Sequence, residues 1–135
     1  MTRTRIKFQI PKFTRKLQLE IKRRMSKVAF MLEAFVKRSI GTSTRAAGPS
    51  KPNTAPHADT GLLRRSITAI TEIDGKDVIV RYGTLKGIVP YARRLELGFT
   101  GRDSRGRLYR QEPRPYLRPA YTKNKRKIKQ IIRKG

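Results

Sequence analysis

The residues of this chain that could act as nucleophiles or general bases are few and scattered. His57 is the only histidine, and it lies in a proline-rich segment that offers little to hold its side chain in place. Ser66 and Ser104 have no base at a recognisable spacing, and a nucleophilic serine needs one within hydrogen-bonding reach. Because the chain has no cysteine, thiolate nucleophiles, thiolate metal sites and disulfides are excluded.

The acidic residues do not suggest a metal site either. There are nine Asp and Glu against 34 Lys and Arg, and Asp74 and Asp77 flank a turn, where Asp is favoured for its backbone hydrogen bonds. Glu96 and Glu112 stand alone, whereas a two-metal nuclease needs several carboxylates that converge on one point. The glycine-rich segment 101–107 lacks the Lys-Ser/Thr pair of a phosphate-binding loop. We therefore predict a protein that is not an enzyme and that holds no metal or cofactor.

The basic residues are more informative, because the formal net charge of the chain is +25. A compact molecule with this charge repels itself, so an anionic partner is expected. Nucleic acid is the first candidate, an acidic protein the second and an anionic membrane surface the third. The C-terminal segment carries no acid, and its candidate contacts to DNA or to an acidic partner are Lys123, Lys125, Arg126, Lys127, Lys129 and Arg133.

The chain has the length of one domain, 1–135, and no feature of a membrane or secreted protein. No apolar run approaches the length that spans a bilayer. The basic N-terminus alternates polar and apolar residues and lacks the continuous apolar stretch of a secretory signal. We expect an intracellular protein at synthesis.

The first half of the chain is predicted to form a strand and a long helix. Ile6, Phe8 and Ile10 alternate with polar residues, as in a strand with one buried face, and Pro11 ends it. Thr14 is the expected helix N-cap, and Gly41 is expected to end that helix. One apolar stripe runs along the helix at spacings of three or four residues: Leu17, Ile21, Met25, Val28, Leu32 and Val36.

The second half predicts an antiparallel hairpin, a short helix and a final basic helix. Ile67, Ala69, Thr71 and Ile73 share one face of a strand, and Asp74-Gly75 is a turn signal. A short helix is expected over 89–97, a loop with a brief extended piece near Leu108 and Tyr109 over 99–115, and the final helix over 116–134. The predicted fold class is α+β, with a small, mainly antiparallel sheet packed against two long amphipathic helices.

Residues 41–60 are rich in proline and glycine and have no hydrophobic period. A structureless stretch of this length inside a domain is unusual. Two interpretations stay open: a disordered surface loop, or an arm that becomes ordered only against a neighbouring subunit.

Four short motifs occur in order along the chain. They are PHADTGLLRRSI (56–67), VRYGT (80–84), PYARRLELGFTG (90–101) and RPYLRPA (114–120). In order and spacing they resemble the neck, or tail-component, family of tailed bacteriophages, whose first-described member is lambdoid. The resemblance covers roughly residues 4–132. The motif residues that carry it are Thr60, Gly61, Leu62, Arg64, Ile67, Gly83, Tyr91, Ala92, Glu96, Gly98, Pro115, Leu117 and Pro119.

Structural roles can be predicted for several of these residues. Gly61 is free to adopt a positive φ at the start of the hairpin. Leu62 and Ile67 are expected in the core, and Tyr91, Ala92 and Leu95 on an apolar face under the sheet. Glu96, an acid among bases, is expected to form a bidentate pair with Arg64, Arg65 or Arg114, which would hold the hairpin and the C-terminal motif together.

The resemblance implies a structural virion protein that forms a ring at the head–tail junction, around the channel through which the genome passes. It implies a homo-oligomer of six or twelve copies whose partners are the portal, adaptor or stopper on one side, the tail-tube or terminator protein on the other, and DNA in the channel. Ring contacts are expected from the 41–60 arm and the outer face of the 14–40 helix. The expected location is the virion, after assembly in the host cytoplasm.

The alternative function is sequence-independent nucleic-acid binding, and a basic nuclease ranks behind both.

Overall fold

The computed structural model describes residues 3–8, 14–40, 50–56, 61–84, 89–102 and 104–134. Its helices and strands are β1 Arg3–Phe8, α1 Arg15–Ser39, α2 Leu62–Ser66, β2 Ile67–Asp74, β3 Asp77–Thr84, α3 Ala92–Leu97, β4 Phe99–Arg102, β5 Leu108–Gln111 and α4 Arg118–Lys134. The predicted α+β class is confirmed. The predictions for Ile10, Pro11, Gly41, His57 and Thr60 lie outside the described residues.

Three antiparallel strands form the main sheet in the order β1–β3–β2. The register places Ile6 and Thr71 on either side of Val80, so the apolar alternation of all three strands falls on the face that packs against α1. The last pair of the β2–β3 hairpin is Asp74 with Asp77, which leaves Gly75 and Lys76 as the two turn residues. Gly75 has a φ of 61°, which a residue with a Cβ adopts only at a cost.

The opposite face of the sheet carries charged side chains. Ion pairs join strands across it: Lys7 Nζ lies 2.9 Å from Asp77 Oδ2, and Arg81 Nε lies 2.7 Å from Glu72 Oε1. Long charged side chains cover apolar surface with their aliphatic stems. Ile79, on this face, is fully buried among them.

Helix α1 follows the predicted pattern closely. The Thr14 hydroxyl accepts a hydrogen bond from the Leu17 N–H at 3.1 Å, as expected of an N-cap. The predicted stripe is buried from Ile21 to Val36, but Leu17 is 38% exposed. The neighbouring Gln18 is buried instead, because its Nε2 donates to the Gly75 carbonyl oxygen at 2.8 Å. This bond fixes the start of α1 against the β2–β3 turn.

The short helix α2 was not predicted, and it changes which leucine lies in the core. Gly61 precedes it with a φ of 78°, which confirms the predicted positive φ. Because residues 62–66 are helical rather than extended, Leu63 is buried at 6% exposure, while Leu62 is only partly buried against the core. Ile67, at 2% exposure, is in the core as predicted.

The final helix packs alongside α1. Arg24 of α1 donates to the carbonyl oxygens of Ile132 and Arg133 at 2.7 and 3.0 Å. A guanidinium is well placed there, since the last carbonyls of a helix lack partners and carry partial negative charge. Ala120 and Ile128 are buried against the core, and the apolar face of α4 is completed by partly buried side chains, which are Tyr121, Ile131 and Ile132.

Part of the predicted 41–60 arm is held by its own chain. The Asn53 N–H donates to the Pro113 carbonyl oxygen at 2.8 Å, and Arg114 Nε donates to the Ser50 carbonyl oxygen at 2.9 Å. Residues 50–56 therefore lie against the segment that leads into α4. Residues 41–49 and 57–60 lie outside the described residues. Among the helices that the structure describes, none has the length and apolar character needed to cross a membrane.

Candidate functional site

The buried carboxylate of Glu96 holds the start of α4. Glu96 is in α3 and is 9% exposed. Its Oε2 accepts hydrogen bonds from the N–H groups of Tyr116 and Leu117 at 2.7 and 3.0 Å, and its Oε1 accepts one from Arg118 at 3.0 Å. One side chain thus satisfies three successive backbone donors.

The chemistry of a helix N-terminus explains this arrangement. The first N–H groups of a helix have no partner within it, and the helix dipole makes that end positive. Helix α4 has no acidic residue in its first turn, so the compensating negative charge comes from another element. Pro119 has no N–H to satisfy, and the Ala120 N–H donates to the Leu117 carbonyl oxygen at 3.2 Å. Every backbone N–H from residue 116 to residue 120 therefore has a hydrogen-bond acceptor.

Two further bonds lock α3 to the segment before α4. The Arg114 N–H donates to the Leu95 carbonyl oxygen at 2.6 Å. The Tyr116 hydroxyl, which is fully buried, donates to the Ala92 carbonyl oxygen at 3.1 Å. The third and fourth sequence motifs therefore meet side by side, and we call this contact the Glu96 junction (Ala92, Leu95, Glu96 and residues 114–118).

The second motif reaches the same junction from the sheet. The Tyr82 hydroxyl, at the inner face of β3, donates to the Leu117 carbonyl oxygen at 2.9 Å. Tyr82 and Leu117 are each 1% exposed. The central strand of the sheet, α3 and the start of α4 are thus joined through one buried cluster.

The predicted partner of Glu96 was wrong. Among the described residues, Glu96 forms no ion pair with Arg64, Arg65 or Arg114. A buried carboxylate needs hydrogen bonds on both oxygens, and backbone N–H groups supply them without burying a second charged side chain. The Arg114 guanidinium bonds to the Ser50 carbonyl oxygen instead, so it anchors residues 50–56.

The other motif residues divide into those near the junction and those away from it. Ala92 is buried at 2%, but Tyr91 is 43% exposed, so its predicted place under the sheet was wrong; α3 begins after Tyr91 and buries Ala92 and Glu96. Gly98 ends α3 with a φ of 75°, and a Cβ there would lie 2.9 Å from the Gln111 carbonyl oxygen. Pro115 lies within the junction, and Gly83 is buried in β3. Gly61 and Arg64 lie at α2, outside it.

The predicted basic surface on α4 is exposed to solvent. Helix α4 has eight basic residues and no acidic one. The six predicted contacts are all exposed, namely Lys123, Lys125, Arg126, Lys127, Lys129 and Arg133. All six lie outside the buried positions Ala120 and Ile128.

The acids that the structure describes do not offset this surface. Each of the seven already has a partner within the chain: Glu20 with Arg23 and Arg24, Glu33 with Lys37 and the Ala69 N–H, Glu72 with Arg81, Asp74 with Arg5, Asp77 with Lys7, Glu112 with Arg110, and Glu96 with the backbone. No acidic patch is left among the described residues to pair with α4.

The described residues contain no cluster of three or more side chains that could hold a metal ion. Comparison with protein-family models, with curated proteins and with solved structures finds no match to this chain. The resemblance to phage neck proteins therefore stays a prediction from the four motifs.

Burial and the Glu96 charge both raise the pKa of Tyr116, in the junction, and of Tyr82, which bonds to it. Burial raises the pKa of Tyr82 to about 12, and the Glu96 carboxylate adds to this, while a hydrogen bond with Thr4 opposes it. Burial, reinforced by Glu96, also raises the pKa of Tyr116 well above its ordinary value. Both hydroxyl groups are thus held in the neutral form that donates hydrogen bonds.

Replacing Glu96 by alanine is expected to lower the free energy of unfolding by about 3 kcal/mol, because three backbone donors lose a charged acceptor in a buried place. Glu112→Ala is the matched control: its carboxylate forms an exposed ion pair with Arg110, so a loss under about 1 kcal/mol is expected. Denaturant unfolding followed by circular dichroism measures both, since the chain has no tryptophan. Equal losses in the two variants would contradict the role given to Glu96.

The junction tyrosines predict a loss of stability at alkaline pH. Because the pKa of Tyr82 is higher in the folded chain than the value of about 10 in the unfolded chain, stability is intact below pH 10 and falls as the pH rises towards 12. The expected slope is about 1.4 kcal/mol per pH unit for each such tyrosine. Tyr82→Phe should make this slope shallower, whereas Tyr109→Phe, on β5, should not. An unchanged slope in Tyr82→Phe would show that its hydroxyl does not control alkaline unfolding.

Proposed function

We propose that this chain is a structural component of the head–tail junction of a tailed phage, one of six or twelve copies in a ring around the DNA channel. The observation that carries the proposal is the Glu96 junction. Three of the four motifs that resemble phage neck proteins converge there, through Tyr82, Glu96 and the 114–118 segment. The side chains at the junction hold the sheet, α3 and α4 together. This role suits a structural protein that positions its neighbours in an assembly.

The charge distribution supports an assembly that supplies negative charge from outside the chain. The net charge is +25, and the acids of the described residues are already paired within the chain. DNA in the channel and acidic surfaces of the portal, adaptor or stopper and of the tail-tube or terminator protein would provide it. In this proposal the chain acts without catalysis, in the virion, after assembly in the host cytoplasm.

A second candidate function is sequence-independent nucleic-acid binding by a free protein. The exposed basic face of α4 favours it, since each lysine or arginine set against a phosphate releases counterions whatever the base sequence. The two functions differ in oligomeric state and in where the protein is found.

The ring proposal predicts discrete oligomers of six or twelve copies by sedimentation and electron microscopy, either with the purified chain or in purified particles. A phage that lacks the chain should accumulate separate heads and tails, and added wild-type protein should join them. A stable monomer that is absent from particles, or heads and tails that join without the chain, would contradict the proposal.

The nucleic-acid function predicts that a monomer binds mixed-sequence duplex DNA with a steep salt dependence. Replacing Lys125 and Lys129 by serine should reduce the slope of log K against log salt by about 1.8, because each phosphate contact contributes about 0.9. The matched control replaces Lys16 and Lys51, which are exposed lysines outside α4, and should leave the slope unchanged. Fluorescence anisotropy over a salt series measures both. Equal slopes in the two double variants would exclude α4 as the binding surface.

A further inference from the structure

The β4–β5 hairpin is a two-stranded ribbon with little support from the rest of the fold. Phe99 pairs with Gln111 and Arg102 with Leu108, and every described residue from 104 to 110 is exposed. Its base is fixed where Gly98 lies against Gln111 and Pro113. Because an isolated two-stranded hairpin is at best marginally stable in water, this ribbon needs bracing from its own side chains.

The bracing occupies one face of the hairpin. The Arg94 guanidinium lies 3.9 Å above the centre of the Phe99 ring, and the Phe99 and Tyr109 rings are 6.0 Å apart. The Phe99 ring also covers Gly101, where a Cβ would lie 2.8 Å from Phe99 Cζ. The Tyr109 hydroxyl donates to Gln111 Oε1 at 2.8 Å. Aromatic and cation–π contacts therefore stiffen this side of the ribbon.

The opposite face is open. Strand alternation places Thr100, Arg102, Leu108 and Arg110 on it, and the register sets Arg102 directly across from Leu108. Leu108 is 83% exposed, the highest value among the large apolar side chains of the described residues. Among the described residues, Arg110 pairs with the exposed Glu112 at 3.1 Å, which is a weak interaction, and Arg102 donates to the Gly106 carbonyl oxygen at 3.0 Å. Leu108 is thus exposed between Arg102 and Arg110, on a hairpin that is stabilised by the contacts on its other face.

The kind of base differs between this region and α4. Residues 87–117 contain seven arginines and no lysine, whereas five of the eight bases of α4 are lysines. Protein interfaces are enriched in arginine and aromatic residues and depleted of lysine, because the flat guanidinium forms two parallel hydrogen bonds to a carboxylate and loses hydration easily. The hairpin therefore has the composition of a protein-docking surface, and α4 has that of a less selective polyanion surface.

The described residues of a second copy would not supply the matching surface. The seven described acids are already paired, and the hairpin of one copy would meet a strongly positive neighbour. Charge complementarity points to a different, acidic protein.

We propose that the open face of the β4–β5 hairpin docks on a different protein of the assembly, with Leu108 in an apolar pocket and Arg102 and Arg110 against carboxylates at its rim. This inference rests on the proposed head–tail function, which supplies two neighbouring proteins as candidates. Nucleic acid as the occupant is the competing outcome, since arginines also bind phosphate.

The test measures binding of the full-length chain to three probes: the portal or adaptor protein and the tail-tube or terminator protein of the same genome, each purified, and a mixed-sequence DNA duplex. Leu108→Ser and the double variant Arg102→Ser with Arg110→Ser should each weaken binding to one of the two proteins at least tenfold. The matched control is Ile70→Thr, an exposed apolar residue on β2, which should bind as wild type does. Circular dichroism should show the same melting temperature for all variants, because the replaced side chains are exposed.

The outcomes separate the two proposals. If wild type binds a protein probe and Leu108→Ser binds it equally well, the docking inference is wrong and the head–tail function stands. If wild type binds neither protein, both proposals fail. If the arginine variant loses DNA binding while Leu108→Ser changes nothing, the hairpin is a phosphate-binding ribbon and the docking inference is overturned.

Discussion

The structure depends on one buried negative charge among many positive ones. Helix α4 carries eight bases, and its N-terminus adds the positive end of the helix dipole, so by itself it is a strongly repulsive element. Glu96 places a carboxylate against that end and satisfies three backbone donors at once. The same residue stands next to two buried tyrosine hydroxyls that reach α3 and α4. Glu96 therefore helps to place the basic helix on the rest of the fold, together with the hydrogen bonds of Tyr82, Tyr116 and Arg24.

The elements with strong periodicity could be predicted from the sequence, and those without it could not. The stripe of α1, its Thr14 cap and the β2–β3 hairpin follow from spacing and turn chemistry, because one face of each must be buried. The strands β4 and β5 were expected to be mostly loop. Their sequence is rich in glycine and arginine, and their residues are exposed or only partly buried, so no apolar alternation marks them. The short helix α2 is too brief for a period to show.

The candidate site was only half predictable for a related reason. The sequence singled out Glu96 as an acid among bases and placed it with the C-terminal motif, and both points hold. Its partners are backbone N–H groups, however. Nearly every residue type has a backbone N–H, so the sequence does not indicate which of these groups lacks a hydrogen-bond acceptor. Tyr116 was missed although it is fully buried and caps the same junction. The signal lay in RPYLRPA, where the prolines remove donors and leave a few N–H groups in need of one acceptor.

The position of β1 has a consequence for how the chain is made. This edge strand pairs with β3 alone. Ile6 therefore cannot pair until Val80 has been synthesised, roughly 75 residues later. At about 5–20 residues per second, translation leaves β1 without its partner for roughly 4–15 s. During that interval a strand with an apolar face is open to pairing with other chains. Arg5 and Lys7 on its other face reduce this hazard, because charge on an unpaired strand opposes edge-to-edge association on the ribosome as it does in the finished sheet.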